Sequence, residues 1–532
     1  MTGIHQRVQG VAPAVFNGIL RGIEKEGLRV RADGELAQTP HPAGLGSALT
    51  HPRITTDFSE SQLELITGVH TSVDGLLAEL MELHQVVYRH IGDELVWGSS
   101  MPCRLPDDDR IPIAQYGRSN VGRMKTVYRQ GLSQRYGRHM QTISGIHYNF
   151  SLSDEAWALL GPPPDRGVAA EIHRDQRYLA LIRNFRRHSW MLLLLLGSAP
   201  AACASFVAGR SHRLATWDDG RGGTVFAPHA TSLRMGTLGY QSDAQSSLAA
   251  SFNDLRGYAE TLHRAMTEPY APYEAIGLRE GDGYRQLATT LLQIENEFYG
   301  KIRPKRITRP GERPLRALGD RGIEYIEVRC LDVDPFMPVG IDAAAIRLLD
   351  VFLLHCLLAD SPPDTADEVA AISRNQRLVA EAGRDPGIRL DRGGESITPA
   401  DWCADLLAQC EPIAAALDEA HGGLGHRQVL ADMQRALADL SSLPSARVLR
   451  AIEERHGRSY EEFVLAQSRR HRDEIRARAL SPEAQARHEQ LASRSLEEQR
   501  RIEAGDDVPF ESYRRRYLEQ DLLSGAHFRP GS

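Results

Sequence analysis

Four short segments display acidic and other polar side chains at alternate positions. Glu24 and Glu26 are two apart in Gly22-Ile23-Glu24-Lys25-Glu26, and Glu64 stands between Leu63 and Leu65. His147 and Asn149 alternate with Ile146, Tyr148 and Phe150, and Glu327 and Arg329 alternate with Ile326, Val328 and Cys330. Side chains alternate across a strand, so each set shares one face, opposite an apolar one. Alternation alone fits any solvated strand. This polar face, however, favours Glu, His, Asn and Arg over Lys, Thr and Ser, which suits phosphoryl transfer. Carboxylates hold divalent cations that neutralise phosphate charge, and arginine adds bidentate contacts where charge builds up.

Carboxylates on several rigid strands position cations better than carboxylates on a mobile loop. One polar and one apolar face imply an antiparallel sheet with helices packed behind it. Helical spacing of Leu76, Leu77, Leu80, Leu83 and Val87 predicts a helix over 73–87. Helices are also predicted over 168–196, 252–266, 341–360 and, repeatedly, 401–500. Residues 197–245 read as loop-rich and 361–400 as containing connecting loops. The Arg- and Glu-dense stretch 469–501 reads as a peripheral, solvated helix pair. These divisions suggest a catalytic core over 1–360 and a mostly helical region over 361–532 that packs on or extends it.

At 532 residues, 42% hydrophobic and 25% charged, the chain has an ordinary globular composition, and its net charge of −7 disfavours a nucleic-acid partner. No apolar run approaches the roughly 20 residues that span a bilayer, and no signal segment is evident. The six cysteines form no C-x-x-C pair, so a reducing cytoplasmic location is expected. Alternation places Cys330 on the apolar side, where it should be inert. Neither a Walker A motif nor a Rossmann fingerprint with its acidic residue is present, so any ATP binds on another scaffold. The basic cluster Arg303, Lys305 and Arg306 fits ATP steering and a solvated loop equally well, and stands outside the candidate site.

Ordered motifs then become recognisable: Arg21-Gly22-Ile23-Glu24-Lys25-Glu26, Ile54-Thr55-Thr56-Asp57-Phe58, Met140-Gln141-Thr142-Ile143-Ser144-Gly145-Ile146-His147-Tyr148-Asn149-Phe150, Ala230-Thr231-Ser232-Leu233-Arg234, Leu238-Gly239-Tyr240 and Gly322-Ile323-Glu324-Tyr325-Ile326-Glu327-Val328-Arg329. Together they resemble the proteobacterial glutamate–cysteine ligase family, clearly over about 18–360 and more thinly beyond. The resemblance implies an α+β fold: a glutamine-synthetase-like curved antiparallel sheet funnel backed by helices, with a largely helical C-terminal part. It implies Mg²⁺ (with Mn²⁺ as the alternative) on Glu24, Glu26, Asp57, Glu64 and Glu327, ATP beside His147, Asn149 and Arg329, and glutamate held by Arg234. It also implies a cysteine pocket of Tyr128, Leu132, Gln141, Tyr240 and Tyr299. His147, Arg234 and Arg329 would be catalytic. The implied substrates are ATP, L-glutamate and L-cysteine, and the implied protein is a cytoplasmic monomer with neither nucleic-acid nor membrane partner. The alternatives are the same chemistry on another amine, or a non-catalytic regulator on the same fold.

Overall fold

The computed structural model describes residues 3–161, 169–220, 222–239, 243–245, 248 and 250–528. Its centre is a 7-stranded sheet built from β1 (Ile19–Val30), β2 (Ile54–Thr56), β3 (Gln62–Ile66), β4 (Leu95–Val96), β5 (Ile146–Leu152), β6 (Ile302–Lys305) and β7 (Tyr325–Leu331). The order is β6-β7-β5-β1-β3-β2, with β4 pairing the far end of β1, and every pair is antiparallel. Cross-strand register sets Ile23 opposite Tyr148 and Tyr148 opposite Val328, all buried. These side chains form the apolar rear face that the alternation predicts.

The elements behind the sheet follow from local signals. The predicted helix over 73–87 is α1 (Val73–His90), capped by Ser72, whose side chain accepts from Gly75 N. Leu76, Leu80 and Leu83 are fully buried on its sheet-facing stripe, each contributing roughly 1.5–3 kcal/mol through burial. On the other side of the chain's centre lies α2 (Asn120–Tyr136). The single helix predicted over 168–196 is two, α3 (Ala170–His188) and α4 (Trp190–Leu196). The break falls at Ser189, whose Oγ accepts from Gln376 Nε2 at 2.5 Å, a distant partner that periodicity cannot reveal. The predicted helices over 252–266 and 341–360 are Leu255–Thr267 and α5 (Ala343–Leu358).

The stretch 361–400 contains its loops and a helix besides, α6 (Ala366–Ala382), whose N-cap Thr365 accepts from Glu368 N. Beyond it come α7 (Pro399–His421), α8 (Pro444–Arg455), α9 (Tyr460–Ala477), α10 (Pro482–Ala504) and α11 (Phe510–Leu518). These helices are tied into the earlier fold: α7 contacts α5, α9 contacts α1 and α11 contacts α2. Tyr460 Oη donates to Met101 O at 2.8 Å, and Ser47 N donates to Ser495 Oγ at 2.9 Å. The described residues of 197–245 are loop-rich around a 3-stranded sheet. Among the described residues no helix is long and apolar enough to cross a membrane.

Candidate active site

Strand register assembles the polar face from residues far apart in sequence. Glu24 lies opposite His147, Glu26 opposite Glu64, Asn149 opposite Glu327, and Glu327 opposite Arg303. Directly opposed residues share a face at Cβ separations of about 4.5–5.5 Å, close enough for their side chains to meet. Glu24 Oε1 accepts from Asn149 Nδ2 at 2.9 Å, and its Oε2 lies 3.3 Å from His147 Nδ1. The same imidazole is 3.5 Å from Glu26 and 3.6 Å from Glu327. Glu327 meets Arg329 Nη1 at 3.1 Å and Lys305 Nζ at 3.3 Å. A register shift between Val328 and Leu331 bulges β7 around Arg329, a device that re-aims side chains at functional sites.

Asp57 arrives differently. It follows β2, and its N–H donates to Gln62 O at 3.0 Å, so the turn into β3 positions it. Tyr116 Oη donates to Thr56 O at 2.7 Å, and the Arg129 guanidinium donates to Asp57 O. Gly145 donates its N–H to Glu26 Oε2 at 2.7 Å. A side chain at Gly145 would collide with the Arg234 guanidinium, which would have to move aside.

The electrostatics divide the carboxylates. Burial, then the charges of Glu24, Asp57 and Glu26, push Glu64 well above the usual carboxylate range. Burial and the adjacent Asp57 push Glu26 up to about 8. Burial also opposes charge on Glu327, but Lys305, Arg329 and His147 outweigh it and hold that group well below the ordinary value. Glu24 is held low against its burial by the His147 hydrogen bond. Burial and Arg329 lower His147, keeping a nitrogen lone pair available. In one half of the site cations thus prevail, while in the other burial and neighbouring carboxylates outweigh Arg129, Arg234 and Arg329.

A divalent cation fits this donor set. Glu24, His147 and Glu327 each offer a ligand atom, all within 4.8 Å of one another. Glu26, Asp57 and Glu64 repel one another in a way that added positive charge would relieve. Asn149 Oδ1, buried without a hydrogen-bond partner, is a further unused acceptor.

These groups open into a cleft of about 640 Å³. Glu24, Glu26, Asp57, Glu64, His147, Glu327 and Arg329 line it together with Tyr128, Leu132, Gln141 and Tyr299. Gln141 Nε2 donates to Tyr299 Oη at 2.9 Å. Tyr240 lies outside the described residues. Arg234 is buried one layer below the cleft lining, donating to Arg329 O at 2.8 Å. The basic cluster divides: Arg303 and Lys305 line the cleft, whereas Arg306 lies 3.5 Å from Glu324. Lys125, Arg129, Tyr513 and Tyr517, which strand alternation does not reach, also line it. Their signal was present, because Lys125 and Arg129 on α2, like Tyr513 and Tyr517 on α11, are four apart and share a helix face.

The described glutamate–cysteine ligase family matches residues 7–379. Relatives named glutamate–cysteine ligase include one from Azotobacter vinelandii, 49% identical over 497 residues, covering 93% of each chain. Another, from Pseudomonas paraeruginosa, is 47% identical over 494 residues, again covering 93% of each. Among solved structures, a glutamate–cysteine ligase from Francisella tularensis in complex with AMP superposes with a TM-score of 0.88 at 36% identity, covering 94% of this chain and 98% of that one. A bifunctional glutathione synthetase from Pasteurella multocida has a TM-score of 0.71 at 26% identity, and the match covers 92% of this chain and 58% of that longer one. The chain belongs to the glutamate–cysteine ligase family and catalyses ATP-dependent formation of γ-glutamylcysteine, the first step of glutathione synthesis.

Proposed function

We propose that the cleft between the carboxylate face, α2 and α11 is where this ligation occurs, through a γ-glutamyl phosphate. The observation that carries the reading is the convergence of Glu24, Glu26, Asp57, Glu64, His147 and Glu327 on one cleft, where Glu26 and Glu64 are pushed up by burial and by neighbouring carboxylates despite the basic residues nearby. Glu24, Glu26, Asp57, Glu64 and Glu327 would hold Mg²⁺ through the oxygen donors it prefers, and His147 stands beside ATP and the transferring phosphoryl group. When bound, the metal neutralises phosphate charge during transfer. ATP is the nucleotide substrate, with Asn149 at its side and Arg329 on its phosphates.

The γ-carboxylate of glutamate attacks the terminal phosphorus of ATP in line, and ADP leaves. The amine of cysteine then attacks the acyl carbon and phosphate departs. The side chains bind and orient, and none is required as a nucleophile. Arg329 is already charge-paired with Glu327, so its guanidinium is fixed before phosphate arrives. Arg234 holds the glutamyl moiety, and its guanidinium is anchored by a hydrogen bond to the Arg329 carbonyl. The cysteine side chain lies among Tyr128, Leu132, Gln141 and Tyr299. A serine hydroxyl in that setting loses more solvation than a thiol, which favours cysteine. The six cysteines, all buried and unbridged, support a reducing cytoplasmic compartment.

The test is phosphate release with ATP, Mg²⁺ and glutamate, with and without cysteine, alongside a product mass spectrum. Cysteine-dependent release with a γ-glutamylcysteine mass is the expected result. Release that follows another amine instead would keep the cleft and overturn the acceptor.

A further inference from the structure

A second cavity, remote from the carboxylate face, has the opposite charge character. It has a volume of about 370 Å³ and lies between α8 and α9, against the loop that follows β7. That volume falls within the roughly 300–1,000 Å³ occupied by small-molecule sites. Arg447, Arg450, Arg455 and Arg470 line it, with Glu454 the only acidic lining residue. Among the described residues no carboxylate lies within ion-pair distance of any of these guanidinium groups. Their recorded partners are neutral: Arg450 donates to Ser441 O at 3.2 Å, Arg470 donates to Phe336 O at 3.2 Å, and Arg447 lies 4.5 Å over the Phe336 ring. Some arginines elsewhere pair with carboxylates, as Arg514 does with Glu511 at 2.8 Å and Arg321 with Glu312 at 2.8 Å, while others, such as Arg384, donate only to carbonyls; four guanidinium groups around one cavity distinguish this site. Gln467, which also lines the cavity, has its amide oxygen buried without a partner, and turning that carboxamide presents NH₂ donors to the same space.

We propose that this cavity is a binding site for a small molecule carrying more than one phosphate group. Four guanidinium groups face one lining carboxylate, with Asp334 and Asp439 acting on Arg447 and Arg450 from beyond ion-pair distance, so the cavity keeps a positive excess that an anion relieves. Guanidinium forks match phosphate oxygens in pairs, and a phosphate presents more oxygens than a carboxylate, so several arginines are better satisfied by phosphate groups. The limited volume of the cavity, between two helices, favours a small ligand over the extended backbone of a nucleic acid.

The test is isothermal titration of the full-length protein with inorganic pyrophosphate in metal-free, low-salt buffer. Saturable binding that weakens with added salt is expected, and it should fall about tenfold in Arg450→Gln and in Arg455→Gln through loss of one charge-assisted contact. Both residues are exposed, so their replacement leaves the fold intact. The same binding should persist in Arg329→Gln, which weakens any anion contact in the catalytic cleft. Loss of binding in Arg329→Gln with retention in the α8 variants would place the anion in the cleft and overturn the proposal. So would absence of binding, tighter binding of citrate than of pyrophosphate, or binding restricted to an RNA oligomer.

Discussion

The two faces of the central sheet handle buried charge in opposite ways. On the rear face, Arg21 donates from Nε to Asp350 at 2.9 Å and pairs through Nη2 at 2.8 Å, while Tyr148 Oη donates to the same carboxylate at 2.6 Å. Every charge there has an opposite or a hydrogen-bond partner. Lys25, on the same side, has only the neutral His84 ring at 3.0 Å, and burial drops it to about 8. On the front face, burial first and then the crowding of Glu26, Asp57 and Glu64 force Glu26 and Glu64 upward. A satisfied buried ion pair serves structure, whereas unsatisfied like charges in an open cleft mark where a ligand belongs.

That contrast can be broken experimentally. Asp350→Asn should have the largest effect on stability, about 3–5 kcal/mol, because it strands Arg21 in the core. The check is a urea unfolding midpoint, and an unchanged midpoint would show the rear pair to be dispensable. Glu327→Gln should leave that midpoint nearly intact but lower kcat by about 10²–10³, since the loss falls on transition-state charge. Near-normal turnover in the folded variant would remove Glu327 from the site.

The next effect concerns pH. Burial beside His488 and Arg53 lowers His51 to about 4, and its Nδ1 accepts from Arg53 N at 3.1 Å and Ile54 N at 2.9 Å. Burial likewise lowers His471 to about 4. Unfolded, both bind a proton near 6.5, so the folded state is the poorer proton acceptor. Their stabilisation is therefore complete above pH 6.5 and lost as pH falls toward 4, by at most roughly 3 kcal/mol each. Unfolding midpoints measured from pH 7.5 to 4.5 should decline, and His51→Asn should flatten the decline. The smallest effect belongs to Cys330. Burial raises its thiol to about 11, so iodoacetamide should leave it unmodified in the native protein and Cys330→Ala should retain turnover.

Much of the front face was legible because strand alternation is a local rule. Glu24, Glu26, Glu64, Glu327, His147 and Asn149 announce a shared face within a few residues each. Which strands neighbour one another is not local, and only the register reveals that Glu24 meets His147. Asp57 escaped the rule because a turn positions it, and it entered through family resemblance alone. Lys25 shows alternation working against intuition, since the pattern places a lysine on the apolar side, where His84 receives it. The break at Ser189 depends on Gln376, far away in sequence. The helix Ala366–Ala382 did carry a local signal in Thr365-Ala366-Asp367-Glu368, which was overshadowed by the Pro, Gly and Asp around it.

The contribution of α11 to the cleft has a consequence for the order of biosynthesis. Tyr513 and Tyr517 are translated hundreds of residues after Glu24 and Glu26, yet they line the same cavity. A ribosome-bound chain can therefore pair β1 with β5 and gather all the acidic ligands long before the cavity has its last wall. Asn120 N reaches Asp506 Oδ2 at 2.5 Å and Asn120 Nδ2 reaches Val508 O at 2.8 Å, contacts that seat α11 on α2 only once that stretch has left the exit tunnel. Completion of the cleft is thus reserved for a nearly finished polypeptide, and a nascent chain lacking this helix has an incomplete cavity in which to engage nucleotide.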